Sequence, residues 1–465
     1  MKYDAIVIGA GMSGLAAGIR LAMFDKKVLI LEKHSIPGGL NSYYQRRIPA
    51  TKELFKFDVG LHALTNFAKK GERGRPFTKL LKQLRIPYDA FQLKEQTTSR
   101  VQFASANFRF SNEVEFFISE IEKTFPSEKS SFHSFHQLVM DYNETDLNAD
   151  YVSARAVLDQ YFKEELLKEM LIAPLLIYGS AWEHDMDFAQ FVIMYKALYV
   201  EGFSRPIGGV RTILNLLENR YKELGGELRY RTGVAKIETD SDGVISGITT
   251  LKGEFLESKK VFSSMGLPET MDKVGFENEK EYPVGSLSFC ESLFITEDKS
   301  FLENITDTIV FYNRTDKYLY RKPDEIYDNT SAVFCLPDNY ERENKNGHGT
   351  IRVTYMADFD QWTSKAEEEY KAIKNKMASD ALELSENLIG CKPNILLTDV
   401  FTPRTIKKYT NHFDGTVYGS PRKLKDGKTE VENLFIIGTD QGFLGIVGSM
   451  LSGISMANLH GLMGD

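Results

Sequence analysis

Cysteine is scarce. The chain has three in 465 residues, Cys290, Cys335 and Cys391, too far apart for a CxxC pair and too few for a disulfide framework. Reduced thiols and a cytoplasmic location are the expectation. Positive charge is also in short supply, with 57 Lys plus Arg against 65 Asp plus Glu and a formal net charge of −8. No basic surplus exists to draw in a phosphate backbone by counterion release, so nucleic acid is excluded as a partner. Long apolar runs are missing too. The longest stretch, residues 170–179, is interrupted by Pro174 and falls well short of the about 20 residues of a membrane span. The opening MKYDAIVIGAG lacks the apolar core of a secretory leader, so no export is expected. What remains is 42% hydrophobic and 26% charged, enough apolar material for a large core and incompatible with global disorder. At about 150 residues per domain the length suits two or three units.

Residues 3–8 form a short β-branched run, GAGMSG follows, residues 15–24 carry helical apolar spacing, and residues 28–31 form a second run. That order is a βαβ unit. From residue 112 to about 179 the pattern is helical, in three stretches: EVEFFISEIEKTF, FHSFHQLVMDY and ARAVLDQYFKEELLKEMLIAPLL. Residues 209–224 predict another helix, and the following GGELRYRTGVAKIETDSDGVISGITTLKGE predicts strands and hairpins punctuated by glycine. LSFCESLFI, DTIVFYN, TSAVFCL and GTIRVTYMA predict an antiparallel or mixed sheet. Residues 364–388 predict one charged amphipathic helix, its KAEEEYK run a salt-bridged surface. NILLTDVFTP returns to strand. A strand ENLFIIG, a glycine turn and the helix GSMLSGISMANL close the chain. No internal repeat is present.

Gly9, Gly11 and Gly14 spell GxGxxG between a strand and a helix. Gly9 suits the tight turn, Gly11 lets backbone approach a pyrophosphate, and Gly14 lets helix and strand pack closely. The phosphate would sit at the helix N-terminus, with Ser13 beside it. Glu32 ends the second strand, where a carboxylate accepts hydrogen bonds from ribose hydroxyls. Beyond Lys33, the doublet Gly38 and Gly39, followed by Leu40 and Asn41, falls where the chain would cross the pyrophosphate and ribityl chain. A non-covalent FAD needs that longer cradle. No second GxGxxG exists, so NAD(P)H, as a candidate electron donor, would bind without a Rossmann unit of its own.

Several separated stretches resemble the phytoene desaturase, carotenoid isomerase and retinol saturase branch of two-domain flavoproteins related to amine oxidases. FKFDVGLHAL, with Asp58, Gly60 and His62, looks like that family's FDxG segment. FSRPIGGVRTILNLL, with Pro206, Gly208 and Gly209, is similar to its re-entry into the cofactor domain. GGELRYRTGVAKI resembles the strand where Val234 would meet adenine through its main chain, and TPRTIKKYTNHFDGTVYG the segment before the final return. IIGTDQGFLGIVGSMLSG looks like the C-terminal flavin turn, with Gly438, Asp440, Gly445, Val447 and Gly448 in place; Asp440 is most like the retinol saturase subgroup. The chain departs from the pattern at FSSMG, residues 262–266, where relatives usually carry an Asn-Ala pair.

The resemblance implies an α/β fold with a Rossmann-type FAD-binding domain and an α+β substrate domain. The cofactor unit would comprise residues 1–66, 202–266 and 428–465, the substrate unit residues 67–201 and 267–427. The implied activity is FAD-dependent oxidoreduction of a hydrophobic, isoprenoid-like polyene: saturation, desaturation or isomerisation by hydride exchange with flavin N5. A flavin amine oxidase and a non-enzymatic prenyl- or lipid-binding protein of the same fold are the alternatives. His62 is the first proton-transfer candidate, because imidazole titrates near neutrality, and Arg205 the second. Tyr409 and His412 are weaker ones. Met170, Leu171, Leu175, Leu176, Trp182, Phe191, Met194 and Tyr195 would form core, line a lipophilic tunnel or touch a membrane surface peripherally. His133 and His136 have no further ligand at metal spacing, so no metal is expected.

Overall fold

The computed structural model describes residues 2–144, 146, 150–276 and 280–463. Met1, residues 145 and 147–149 of the expected helical block, 277–279 of the expected substrate unit and 464–465 of the closing segment lie outside the described residues. The opening run is broken by Asp4 into Lys2–Tyr3 and Ala5–Ile8. Ala5–Ile8 is buried on both faces: Ala5 and Val7 enter one hydrophobic cluster, Ile6 and Ile8 another. Two-sided burial is the condition of a parallel sheet covered on both sides. This strand is the centre of a five-stranded parallel sheet ordered Glu227–Arg229, Val28–Leu31, Ala5–Ile8, Val261–Ser263, Leu434–Ile436. Three remote parts of the chain therefore supply one sheet. Helices Met12–Ala22 and Gly445–Met456 cross so closely that a Cβ on Gly453 would overlap the Ser13 carbonyl.

Lys2–Tyr3 joins a separate four-stranded sheet beside Phe255–Ser258, Ile245–Thr250 and Val234–Thr239. The third sheet has seven strands, ordered Ile395–Phe401, Ser288–Thr296, Gly349–Ala357, Ser331–Cys335, Asp307–Asn313, Thr98–Gln102, Asn107–Phe110. It is mixed, as expected, with one parallel pair between Asp307–Asn313 and Thr98–Gln102. The last two strands were not evident in the sequence, because TSRVQ and NFRF alternate polar and apolar residues over only a few positions.

The helical block packs on this sheet through a shared core of Phe108, Phe110, Phe117, Phe132, Phe135 and Tyr199. Its third predicted stretch is two helices, Ala154–Tyr161 and Glu165–Gly179. The break is set by a residue of another element. The Glu128 carboxylate accepts from the amides of Lys163 and Glu164, both at 2.8 Å, and satisfies donors at the start of the second helix. That helix runs through Pro174 without ending and is buried nearly all round, as a core helix is. No helix among the described residues is long and apolar enough to cross a membrane.

Candidate active site

Gly9, Gly11, Ser13, Glu32, Lys33, Gly38, Gly39, Leu40, Asn41, Val234, Gly438 and Asp440 all lie on the wall of one cavity of about 340 Å³. The turn and the doublet are tied together: the Gly38 amide donates to the Ala10 carbonyl at 2.9 Å, and Gly11 pairs with Gly38 as an isolated bridge. Two glycines of the opening motif have opposite surroundings. A Cβ on Gly14 would overlap the Gly9 carbonyl, so this position closes helix onto strand. A Cβ on Gly11 would meet nothing within 4 Å and would stand in the cavity. Backbone strain does not require glycine there, since Gly11 has φ −74° and ψ −177°. No side chain caps the helix that follows, and its first turn has no acidic residue, leaving its amide end open to an anion.

The Glu32 carboxylate accepts from the Ala10 amide at 2.8 Å and the His34 amide at 2.7 Å. It braces the turn with one bond per oxygen and keeps lone pairs for hydroxyl donors. Lys33 donates to Asn411 Oδ1 at 2.9 Å. Asp440 is buried, and its oxygens accept from Leu267 N at 2.7 Å, Ser420 N at 2.9 Å and Lys423 Nζ at 3.0 Å. It anchors the C-terminal turn to two other segments. Gly14, Val447 and Gly448 are off the cavity walls: Val447 is in the core and Gly448 backs onto Phe443, while Ser449, which the sequence reading passed over, faces the cavity.

Two further residues on this wall carry unpartnered buried polar atoms, Glu269 Oε2 and His412 Nδ1. Glu269 Oε1 accepts from the Phe413 amide at 2.6 Å. Burial, reinforced by Asp440, raises its carboxyl to about 8, so it holds a proton at neutral pH and can donate from its open oxygen. Burial lowers His412 and keeps it neutral. Donors and acceptors awaiting a partner, an uncapped helix end and a Cβ-free gap at Gly11 fit a pyrophosphate-bearing dinucleotide.

A second cavity, about 180 Å³, adjoins the first and shares Leu40, Asn41, Thr439 and Ser449 with it. Gly445, at the start of the last helix, is on its wall. Ile177, Tyr178, Phe289, Val333, Val417 and Leu444 make it apolar. His62 is the one imidazole there, and no carboxylate or amine accompanies it among the described residues. His62 Nε2 lies 2.8 Å from Glu291 Oε1, and Glu291 takes a two-pronged pair from Arg352, Nε at 2.9 Å and Nη2 at 2.7 Å. Burial alone would raise the Glu291 carboxyl, but Arg352 and His62 outweigh it and hold it well below the usual range. Burial and Arg352 lower His62 against the pull of Glu291, leaving a neutral ring. Glu291 and Arg352 were not singled out in the sequence. Their signal was available: each is the one formally charged residue of a fully or almost fully buried strand.

Arg205 does not reach the cavity walls. It donates to the carbonyls of Leu61, at 2.7 Å, and His62, at 3.4 Å, and pairs with Asp58 at 2.5 Å. Asp58 in turn fills the space a Cβ on Gly209 would need, so the two motif segments FDVG and PIGG touch. Tyr409 is about half exposed and stands edge-on to His34. Met170, Leu171, Leu175, Leu176, Phe191, Met194 and Tyr195 are core, with Trp182 half-buried, donating to Pro421 O at 3.0 Å. The neighbouring Ile177 and Tyr178 take the cavity positions instead. His133 pairs with Glu122 and His136 with Tyr195 OH, so the two rings serve different partners.

Residues 7–84 match a family model described as an NAD(P)-binding Rossmann-like domain. The chain is 25% identical to a chloroplastic prolycopene isomerase of Arabidopsis thaliana, the alignment covering 98% of this chain and 82% of that protein. It is 22% identical to an all-trans-retinol 13,14-reductase of Danio rerio, over 98% of this chain and 85% of the relative. A solved oxidoreductase from Methanosarcina mazei shares the fold, with a TM-score of 0.65, 15% identity and coverage of 98% of this chain and 100% of that one. The structure carries the α/β fold with a Rossmann-type sheet expected from the sequence. A dinucleotide cradle thus lies beside an apolar cavity in a chain that is similar, along nearly its whole length, to proteins named prolycopene isomerase, all-trans-retinol 13,14-reductase and phytoene desaturase.

Proposed function

We propose that this enzyme binds FAD non-covalently in the larger cavity and oxidises, reduces or isomerises an isoprenoid-like polyene in the apolar one. The observation that carries the reading is the wall of the second cavity, where among the described residues His62 is the only formally ionisable side chain besides tyrosine. An apolar cavity with one imidazole suits a hydrocarbon held by packing and positioned over a flavin ring. When bound, the flavin supplies hydride exchange. The chain's own residues hold and orient it: Gly11 and the helix end at Met12 receive the pyrophosphate, Glu32 the ribose, and Val234 the adenine. Gly38–Asn41 and the turn at Gly438 flank the ribityl chain. Glu269 donates from Oε2. The relatives' names, prolycopene isomerase and all-trans-retinol 13,14-reductase, support the polyene class.

A third cavity of about 570 Å³ shares Leu40, Val59, Phe401 and Ile406 with the apolar one, and its wall also carries Arg46, Asp399, Arg404 and Lys408. We assign residues 1–66, 202–266 and 428–465 to the cofactor unit and 67–201 and 267–427 to the substrate unit. We further place the enzyme in the cytoplasm, peripheral at a membrane face, with NAD(P)H as electron donor. The test is anaerobic mixing of the yellow, FAD-loaded protein with phytoene, and of the same protein after reduction by dithionite with all-trans-retinol. Coupled changes in polyene and flavin absorbance are expected. Rapid peroxide formation with amines and silence with both polyenes would replace this reading by amine oxidation, and a colourless preparation indifferent to added FAD would end both.

A further inference from the structure

We infer that His62 is the proton-transfer residue of this site, locked by Glu291, Arg352 and Arg205 into the tautomer whose Nδ1 lone pair is offered to the reacting carbon. The inference rests on the proposed function for its substrate class and on side-chain geometry for everything else. Glu291 is fully buried and doubly bonded to Arg352, which itself donates to the carbonyls of Leu61, at 3.1 Å, and Val59. A carboxylate so paired is ionised and can only accept. The 2.8 Å contact therefore requires the proton on His62 Nε2. Thr354 Oγ1 donates to Glu291 Oε1 at 3.1 Å and lies 3.4 Å from His62 Nε2, the longer of the two contacts. Nδ1 has no hydrogen-bond partner among the described residues, and the ring forms part of the apolar cavity wall.

The backbone beneath the ring is clamped from two sides. Arg205 holds the Leu61 and His62 carbonyls from the strand Ser204–Pro206, and Arg352 holds Val59 and Leu61 from the strand Gly349–Ala357. Cys335 Sγ approaches the His62 carbonyl at 3.5 Å. The charged groups around the imidazole are thus assigned: Glu291 accepts from it, while burial first, then Arg352 and to the least extent Arg205 disfavour its cation. Glu291, Arg352 and Arg205 are positioning residues. His62 alone would touch substrate.

In the oxidising direction, one hydrogen of a CH–CH pair leaves as hydride to the flavin. The second leaves as a proton to Nδ1, and the electron pair of that second C–H bond becomes the new double bond. In the reducing direction the neutral ring must first take up a proton from solvent at Nδ1, and it would pass that proton to one carbon as the other receives the hydride. Charge and electrons balance in both directions, with the flavin as the only redox partner.

Two measurements on the intact, FAD-loaded protein test this. In 15N NMR of the imidazoles, with His62→Gln identifying the signal, His62 should be neutral at pH 7 with its proton on Nε2, and Glu291→Gln should scramble that preference. A proton on Nδ1, or a doubly protonated ring at pH 7, would overturn the inference whatever the substrate. In single turnover of the oxidised protein with phytoene, or of the dithionite-reduced protein with all-trans-retinol, His62→Gln should slow the flavin absorbance change by about a hundredfold or more, the usual reach of general acid–base catalysis. Glu291→Gln should slow it at least tenfold and move the acidic limb of the pH profile, a readout that a purely structural role would leave in place. Wild-type rates in His62→Gln would refute proton transfer. Inactivity of the wild type with both polyenes would count against the proposed substrate class alone, because the NMR result still decides the tautomer.

Discussion

Gly11→Val separates binding from folding in a way the structure makes quantitative. Gly11 has extended backbone angles that valine adopts, and its Cβ position has no protein atom within 4 Å. Without ligand the substitution should change stability by no more than about 1 kcal/mol, since reduced unfolded-chain entropy and a poorer helix cap oppose each other. With FAD the added methyls occupy the space through which backbone amides reach the pyrophosphate. Losing two charge-assisted hydrogen bonds at about 1.5–3 kcal/mol each weakens affinity by about 3–6 kcal/mol, or roughly 10²- to 10⁴-fold. The wild type with FAD at a hundred times its Kd gains about 2.7 kcal/mol of stability, and the variant at the same concentration should gain almost none. Flavin fluorescence titration and denaturant melts with and without FAD measure both quantities. Gly14→Ala is the contrast, because its methyl overlaps the Gly9 carbonyl and should destabilise the apo protein itself. A Gly11→Val protein that stays fully yellow, or an apo variant as damaged as Gly14→Ala, would refute the placement of the pyrophosphate.

Glu269 should give the apo protein a distinct pH dependence. Its carboxyl sits at about 8 in the folded chain against an ordinary value of 4.5, so the folded state binds the extra proton between those limits and stability falls as pH rises through that window. Denaturant melts at pH 6 and pH 8.5 should show Glu269→Gln less pH-sensitive than the wild type; equal slopes would contradict the raised carboxyl. Lys423→Ala should lose about 3–5 kcal/mol in urea, the consequence of leaving the buried Asp440 carboxylate without its cation. A loss below about 1 kcal/mol would mean that its amide donors suffice. Tyr178→Phe should be neutral or stabilising by up to about 1 kcal/mol, since the hydroxyl it removes is buried without a partner. Clear destabilisation by calorimetry would show that the hydroxyl has one.

The cofactor side of this molecule was legible because its signals are local. A β-branched run, three glycines at fixed spacing and a carboxylate at the next strand end are all within residues 5–32, and the parallel sheet follows from them. Pairings across the chain were harder to read. Glu269 sits in GLPET, just after the departure from the family pattern at residues 262–266, and its isolation becomes visible only when Phe413 and Asp440 close around it. Glu291 and Arg352 are far apart in sequence and meet only through the register that sets Glu291 opposite Thr354 and Leu293 opposite Arg352. The helical block was misread in one place for a similar reason: the interruption at residues 162–164 is produced by Glu128 from another element.

The two arginines at the 58–62 segment explain why cofactor cradle and apolar cavity keep a fixed relation although they belong to different sheets. Arg205 reaches this segment from the short strand that follows the helical block, and Arg352 reaches it from the seven-stranded sheet. Both converge on the Leu61 carbonyl, while Asp58 neutralises one guanidinium and Glu291 the other. A buried guanidinium retains its charge and needs a carboxylate: Glu291 for Arg352, and for Arg205 Asp58, which is shared with Arg211 at 3.6 Å. Each guanidinium is also a rigid fork, so the backbone it grips has little freedom to slide. His62 inherits that rigidity. Substituting lysine at either position keeps the charge but removes the fork, and the ring should then lose its fixed distance to whatever lies above the cofactor while the cradle at Gly11 is untouched. The prediction is a KM and FAD affinity near wild type with a reduced kcat in Arg205→Lys. A lowered FAD affinity with unchanged kcat would instead place this arginine in cofactor binding.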